Sequence, residues 1–211
     1  MVTGAGIWPV TLECGDLLLR PLRYRDHDEW EDLRRRNADW LRPWEATSPD
    51  PQAPPPTYRG MVASLKAQAR AGQALPWVIA VREPSRRQPV MAGQLTVSGI
   101  VWGAALGASL GYWVDRSRAG HGLAPTAVAM ATDHCFQALG LHRMEINIRP
   151  ENGPSLRVVE KLGFRDEGLR RKFLHINGAW ADHRTFALTA EEAAGGLLPR
   201  WLASRGEPLR N

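Results

Sequence analysis

The residues best placed to do chemistry in this chain lie between Asp115 and Phe164. Arg116-Ser117-Arg118-Ala119-Gly120-His121-Gly122-Leu123-Ala124 joins an apolar strand pattern to an Ala-rich helix pattern. A Gly-containing loop that feeds a helix presents free backbone N–H groups at the positive end of the helix dipole, which makes a phosphate site. The loop lacks the Gly-Lys-Ser/Thr ending of a P-loop. It also lacks the three-Gly dinucleotide fingerprint and an acidic residue ending a second strand. A nucleotide triphosphatase or a dehydrogenase is therefore disfavoured, and a pyrophosphate held mainly by backbone N–H groups remains. Taken alone, Gly120-His121-Gly122 serves a plain loop equally well. A second motif, Asn152-Gly153-Pro154-Ser155, opens another helix that Lys161-Leu162-Gly163-Phe164 closes. Ser155 or Asn152 is a natural cap for that helix, since both types are favoured there.

The elements that must position these residues follow from pattern. Val10–Leu22 reads as a strand with a Gly-Asp turn, and Asp26 caps a helix running to about Asp39. A Pro-rich stretch, Pro49 to Pro56, reads as an extended loop within the domain, and Thr57–Gly72 as a second helix. Strands are expected over Pro76–Glu83, Val90–Val101, Ala105–Val114 and Met144–Ile148, with helices over Gly122–Leu139 and Ser155–Leu162. Phe164–Leu174 and Trp180–Leu188 form a hairpin around Asn177-Gly178, and a terminal helix begins near Thr189. A meander, then strand–helix–strand–helix, then a hairpin describes an α/β (α+β) fold. It has one mixed central sheet of about seven strands with helices on both faces. Residues 1–211 are expected to form a single domain with flexible ends at 1–9 and 205–211.

The bulk numbers narrow the partners. The net charge is +5, and only three of the 27 basic residues are Lys. Arg suits phosphate and carboxylate recognition, so a phosphorylated cofactor or a ribosome or RNA surface is one reading; a solvated basic face is the other. Cys14 and Cys135 match no metal or redox spacing and read as free thiols in a reducing cytoplasm, and no metal site is expected. No positive n-region precedes a long apolar segment, so no signal peptide is expected. Gln88 to Val114 carries no charge, but its polar and Gly residues fit buried strands better than a membrane helix.

The motifs occur in an ordered set. Leu19-Arg20-Pro21-Leu22 with Asp26 comes first, then Asn37 and Leu41-Arg42-Pro43-Trp44-Glu45. The loop ending Gly122-Leu123-Ala124 follows, then Asn152 with Ser155 and Glu160-Lys161-Leu162-Gly163-Phe164. Asn177-Gly178 and Trp180-Ala181-Asp182-His183 close the set. In this order the chain resembles the GNAT superfamily of acetyl-CoA-dependent N-acetyltransferases, over nearly its whole length. It is most like the RimJ/RimL type, which acetylates the N-terminal α-amine of ribosomal proteins, and like RimJ in particular. The resemblance implies a GNAT-like domain with acetyl-CoA held between splayed strands. By resemblance, the backbone of Trp113 and Val114 binds the pantetheine arm. The amides of Ala119, Gly120, His121, Gly122, Leu123 and Ala124 cradle the pyrophosphate. Asn152 contacts the pantetheine, and Ser155 sits near the thioester sulfur as the donor to the leaving thiolate.

Three positions depart from the family pattern. Ala119 stands where a Gln or Arg usually begins the loop, and Arg118 is the neighbour that could replace that side chain. Leu174 stands where relatives place a Glu base, and Val159 where others place a Tyr acid. A free α-amine has a pKa near ~8, so roughly one in ten is already neutral at pH 7, against well under one Lys in a thousand. A water relayed by Glu45, Asn147 or His183 then suffices as base, worth about 10²-fold. A strand N–H near Val114 would hold the oxyanion. Trp44 and Glu45 are the expected acceptor-binding residues. Each has a plainer reading: Glu45 as an exposed loop acid, His183 as structural, Trp44 as core, Glu160 as a surface helix acid.

The expected function is transfer of acetyl from acetyl-CoA to a protein N-terminal α-amine of the ribosomal-protein-alanine type, in the cytoplasm. The alternatives are a small-molecule amine as acceptor, or a catalytically weak ribosome- or RNA-binding relative in which Arg34-Arg35-Arg36 and Arg170-Arg171-Lys172 contribute. Partners are acetyl-CoA and a protein N-terminus, with nucleic acid only through the ribosome and no membrane; the chain is a monomer or a homodimer.

Overall fold

The chain's first strand pattern becomes two strands, β1 (Leu12–Cys14) and β2 (Leu17–Pro21), because Gly15 takes a φ of +56° and reverses the chain. This computed structural model describes residues 8–50, 52–54 and 56–206. Most of the two ends expected to be flexible therefore lies outside the described residues. Of the remainder, Trp8 packs edge-on against Trp77, with ring centroids 5.4 Å apart.

The expected helix over 26–39 is interrupted. α1 (His27–Arg36) and α2 (Ala38–Leu41) meet at Asn37, whose side-chain amide donates to the Leu33 carbonyl at 2.9 Å and to Asp115 at 3.1 Å. Asp26 stands at the start of α1, but its carboxylate turns back to Arg20 at 2.7 Å and the Arg23 amide at 2.8 Å instead of capping. α3 (Tyr58–Arg70) starts at Thr57, whose hydroxyl accepts from the Gly60 amide.

The remaining elements run β3 (Ala74–Val81), β4 (Val90–Val101), β5 (Gly107–Val114), α4 (Leu123–Gln137), β6 (Arg143–Ile148), α5 (Gly153–Leu162), β7 (Arg165–Ile176), β8 (Ala179–Thr189) and α6 (Leu197–Ser204). Turns occupy the stretch after Thr189 where a helix was expected, and α6 starts only at Leu197. Asp133 of α4 accepts from the Leu197 and Leu198 amides at 2.7 and 2.9 Å, and so fixes where α6 begins. The uncharged stretch forms β4 and β5. Among the described residues no helix is long and apolar enough to cross a membrane.

The described strands form one mixed sheet of eight, in the order β1-β2-β3-β4-β5-β6-β8-β7. The strand count exceeds the expected seven through the β1–β2 hairpin. Neighbours are antiparallel except β5 and β6, which α4 links as a parallel crossover. Period-two alternation sends Leu75, Trp77 and Ile79 of β3 to one face and Val78 and Ala80 to the other. α4, α5 and α6 cover the first face with the larger core, including Val128, Val158 and Trp201. α1 and α3 cover the second through Leu33, Tyr58 and Val62. Trp77 is fully buried, and truncating a side chain of that kind costs about 3–5 kcal/mol.

Candidate active site

The parallel pair is short, and that makes the cleft. β5 pairs with β6 only from Gly107 to Ser109, against Arg143 to Glu145. Beyond that, Leu110–Val114 pairs with β4 alone and Ile146–Ile148 with β8 alone, so the two strands splay. Successive residues of a strand turn their backbone groups to opposite edges. The Asp115 amide donates to the Ala92 carbonyl at 2.8 Å, and the Trp113 carbonyl faces Gly93, both on the β4 side. Tyr112 and Val114 therefore turn their N–H and C=O groups into the cleft. The backbone of Val114 stands where the resemblance asks for a pantetheine contact, whereas that of Trp113 is directed to β4.

The loop after β5 is anchored from below. Asp115 is 3% exposed, and its carboxylate accepts from Arg36 at 2.6 Å, Asn37 at 3.1 Å and the Ser117 amide at 3.2 Å. Asn37 returns its carbonyl to the Arg116 amide at 2.9 Å. Burial pushes the Asp115 pKa up, but the hydrogen bonds from Asn37, Ser117 and Arg36 outweigh it and hold the group below the usual carboxylate range. Gly120 and Gly122 then take φ of +85° and +86°, and α4 starts at Leu123. The Ala119 amide is spent on the Arg116 carbonyl at 3.1 Å. For the amides of Gly120, His121, Gly122, Leu123 and Ala124 no acceptor is found among the described residues. Of the six amides expected to face a pyrophosphate, five are therefore left without an acceptor among the described residues. Arg118 lines the cavity and forms an ion pair with Glu83. Arg205 lies over the loop, donating to the His121 carbonyl at 3.2 Å, and a Cβ on Gly122 would collide with its guanidinium.

At the mouth of α5, Asn152 proves to be the cap: its side-chain oxygen accepts from the Ser155 amide at 3.2 Å. That leaves the Ser155 hydroxyl available to the cavity it lines. The cavity encloses about 310 Å³ and runs from the loop residues Arg118, Ala119, Gly120, Gly122, Leu123 and Ala124, past Val114, Asn152 and Ser155, to Trp44 and Glu45. His121 lies outside it, in a neighbouring hollow between β1 and α6.

The far end of the cavity is built by distant segments. Trp40, Trp44 and Trp113 wall it, and among the described residues Glu45 is the one acidic residue in its lining. Arg34 forms an ion pair with Glu45 and lies over the rings of Trp30 and Trp113, 5.4 and 5.5 Å from their centroids. Burial lowers the Arg34 pKa, with Glu31 opposing, but a guanidinium stays charged. The Trp44–Thr47 segment is tied to the β7–β8 turn. Asn177 donates to the Glu45 carbonyl at 2.9 Å, and Gly178 to the Thr47 hydroxyl at 3.1 Å. Arg149 donates to the Pro43 carbonyl at 2.9 Å and lies over the Trp44 ring.

Not every expected residue reaches the cavity. Asn147 and His183 are absent from its lining. Asn147 accepts from the Thr185 hydroxyl at 2.8 Å. His183 is 3% exposed, its Nδ1 is 3.0 Å from the Ala181 carbonyl, and burial lowers its pKa against the upward pull of that contact. Val159 is fully buried, Leu174 is exposed, and Glu160 faces solvent. The Arg34–Arg36 run does not share one free face, since Arg34 pairs with Glu45, Arg35 with Asp32 and Arg36 with Asp115. Arg34, Trp40 and Tyr112 were missed from sequence. The helical spacing of Trp30 and Arg34, and the place of Tyr112 beside Trp113, were the available signals. No group of three or more His, Cys, Asp or Glu suited to a metal occurs among the described residues.

Splayed strands beside five unpartnered amides suit a long thioester cofactor carrying a pyrophosphate. The family model described as acetyltransferase (GNAT) domain matches residues 16–165. "Probable N-acetyltransferase YjcK" of Bacillus subtilis (strain 168) is 30% identical over 172 residues, 82% of this chain and 93% of that protein. The ribosomal protein uS5-alanine N-acetyltransferase of Escherichia coli (strain K12) is 26% identical over 187 residues, 89% of this chain and 94% of that one. Mycobacterium smegmatis RimJ, solved in complex with CoA-disulfide, superposes with a TM-score of 0.85 at 38% identity, covering 95% of this chain and 97% of that one.

Proposed function

The chain belongs to the GNAT acetyltransferase family, and from that premise we propose that it acetylates the N-terminal α-amine of a protein, of the ribosomal-protein-alanine type. Acetyl-CoA is the cosubstrate, and transfer is direct, with no covalent enzyme intermediate. The name of the Escherichia coli relative supports the acceptor class. The observation that carries it is the far end of the cavity, where among the described residues Glu45 is the one acidic residue in the lining and is already paired with Arg34. A polyamine or an aminoglycoside brings several positive charges and needs several carboxylates. A peptide terminus brings one, and the aromatic walls of Trp40 and Trp44 suit its first side chains. We read residues 1–211 as one domain working in the cytoplasm, as a monomer or a homodimer.

Each residue's part follows from its place. The amides of Gly120 to Ala124 hold the pyrophosphate at the start of α4, and the cleft edge of β5 orders the arm. The Val114 N–H is the donor for the tetrahedral oxyanion. Attack needs a neutral amine, which a terminal amine of pKa near ~8 supplies without a strong base. Glu45 places the amine and can relay its proton through water, while Asn147 and His183 serve the scaffold. Ser155 donates a hydrogen bond to the sulfur as the C–S bond breaks.

Thiol release from acetyl-CoA tests this reading, with Ala-terminated peptides of ribosomal proteins, the same peptides N-terminally blocked, and spermidine. Release with the free peptides alone is expected. Release with spermidine but not with the peptides would overturn the acceptor assignment.

A further inference from the structure

Tyr112 has a buried hydroxyl with no hydrogen-bond partner of ordinary geometry among the described residues. Tyr112 and Ser155 both line the cavity, and the Ser155 hydroxyl lies near enough to the phenol to oppose the rise in its pKa. A buried polar group without a partner is uncommon and calls for an explanation.

We propose that Tyr112 is a positioning residue for acetyl transfer, donating to the Ser155 oxygen so that the Ser155 proton points at the departing sulfur. A serine hydroxyl has one donor and two acceptor sites. Free, its proton rotates among several partners; once the oxygen accepts from a phenol, the proton is directed elsewhere, and here the open side is the cavity. Linked hydrogen bonds also polarise one another, which strengthens the second of the pair. Burial raises the pKa of Tyr112, with Ser155 opposing, so the phenol stays protonated and remains a donor across the working pH range. No proton leaves Tyr112. The amine nitrogen bonds to the carbonyl carbon, the C–S bond breaks, and the proton lost by the nitrogen ends on the sulfur. The strand thereby supplies a hydroxyl to the start of α5, while the helix position Val159 has none to give.

The inference rests on the cavity being the acetyl-CoA site, and calorimetric CoA binding judges that point separately. Tyr112→Phe keeps the ring and removes only the hydroxyl. With the best acceptor of the wild-type enzyme, Y112F is expected to lower kcat about 5–10-fold while CoA affinity stays within about twofold. S155A is expected to lower kcat at least as much, and the double variant to match S155A alone, because the phenol acts only through that hydroxyl. A kcat within twofold of wild type in Y112F, or losses that multiply in the double variant, would overturn the role.

Discussion

The two ends of the cavity are made in different ways. The proposed cofactor end comes from two stretches of chain, β5 with the loop amides after it and the first turn of α5, and is built mainly on backbone. One buried carboxylate, Asp115, ties it to Arg36 and Asn37 at the end of α1. The proposed acceptor end is discontinuous and built from side chains: Arg34 of α1, Trp40 of α2, and Trp44 and Glu45 in a segment tied to the β7–β8 turn. Backbone sites suit what the family shares, because every residue type except proline supplies an N–H. Side-chain sites can change acceptor without disturbing the cofactor. Substitutions should therefore divide cleanly, with CoA affinity falling at one end and acceptor KM rising at the other.

The largest effect should come from Gly122→Val. Its φ of +86° is strained for a β-branched residue, and the new side chain meets Arg205 where the pyrophosphate must approach. CoA affinity by calorimetry should fall about 30-fold, a change of about 2 kcal/mol. Arg118→Ala should change it less than about threefold, since the Arg118 guanidinium is already engaged by Glu83.

Asp115→Ala comes next. It strands the buried Asn37 amide and the Ser117 N–H and releases the half-exposed Arg36, so it should cost about 2 kcal/mol in urea unfolding and weaken CoA binding about tenfold. The pH dependence has a fixed sign. The folded-state pKa of Asp115 lies below its unfolded value of about 3.9, so its contribution is complete above that value. Stability is lost as pH falls through the folded-state pKa, and the wild-type and variant curves should converge toward acid.

Arg34→Met tests the other end. Removing the cation between Trp30 and Trp113 releases Glu45, so the KM for an Ala-terminated peptide should rise about fivefold with CoA affinity unchanged. A matching loss of CoA affinity would mean the two ends are not separable. The smallest effect is expected at His183→Gln, within about twofold in kcat, because a group out of hydrogen-bond reach of the reacting atoms is no general base.

The same division explains what the sequence reading caught. Asn177-Gly178, Gly120 and Gly122 were legible because local backbone conformation demands those residue types. Ser155 and Asn152 were both plausible caps from local pattern, and the Ser155 amide settles the choice only in three dimensions. The break at Asn37 depends on Asp115, seventy-eight positions away, and no local pattern announces it. Arg34 looked like part of a basic surface run because its partners, Glu45 and Trp113, lie far along the chain. The β1–β2 split was signalled by Gly15-Asp16, but a turn inside so short an apolar run is easily read as a bend.

Hydrogen–deuterium exchange with and without CoA tests the central claim most directly. Protection is expected at the amides of Gly120 to Ala124 and along the cleft edge of β5 at Tyr112 and Val114, with Trp40 to Glu45 unchanged until an acceptor peptide is added. Protection confined to the neighbouring hollow, around Cys14 to Leu17 and Leu202 to Arg205, would contradict it.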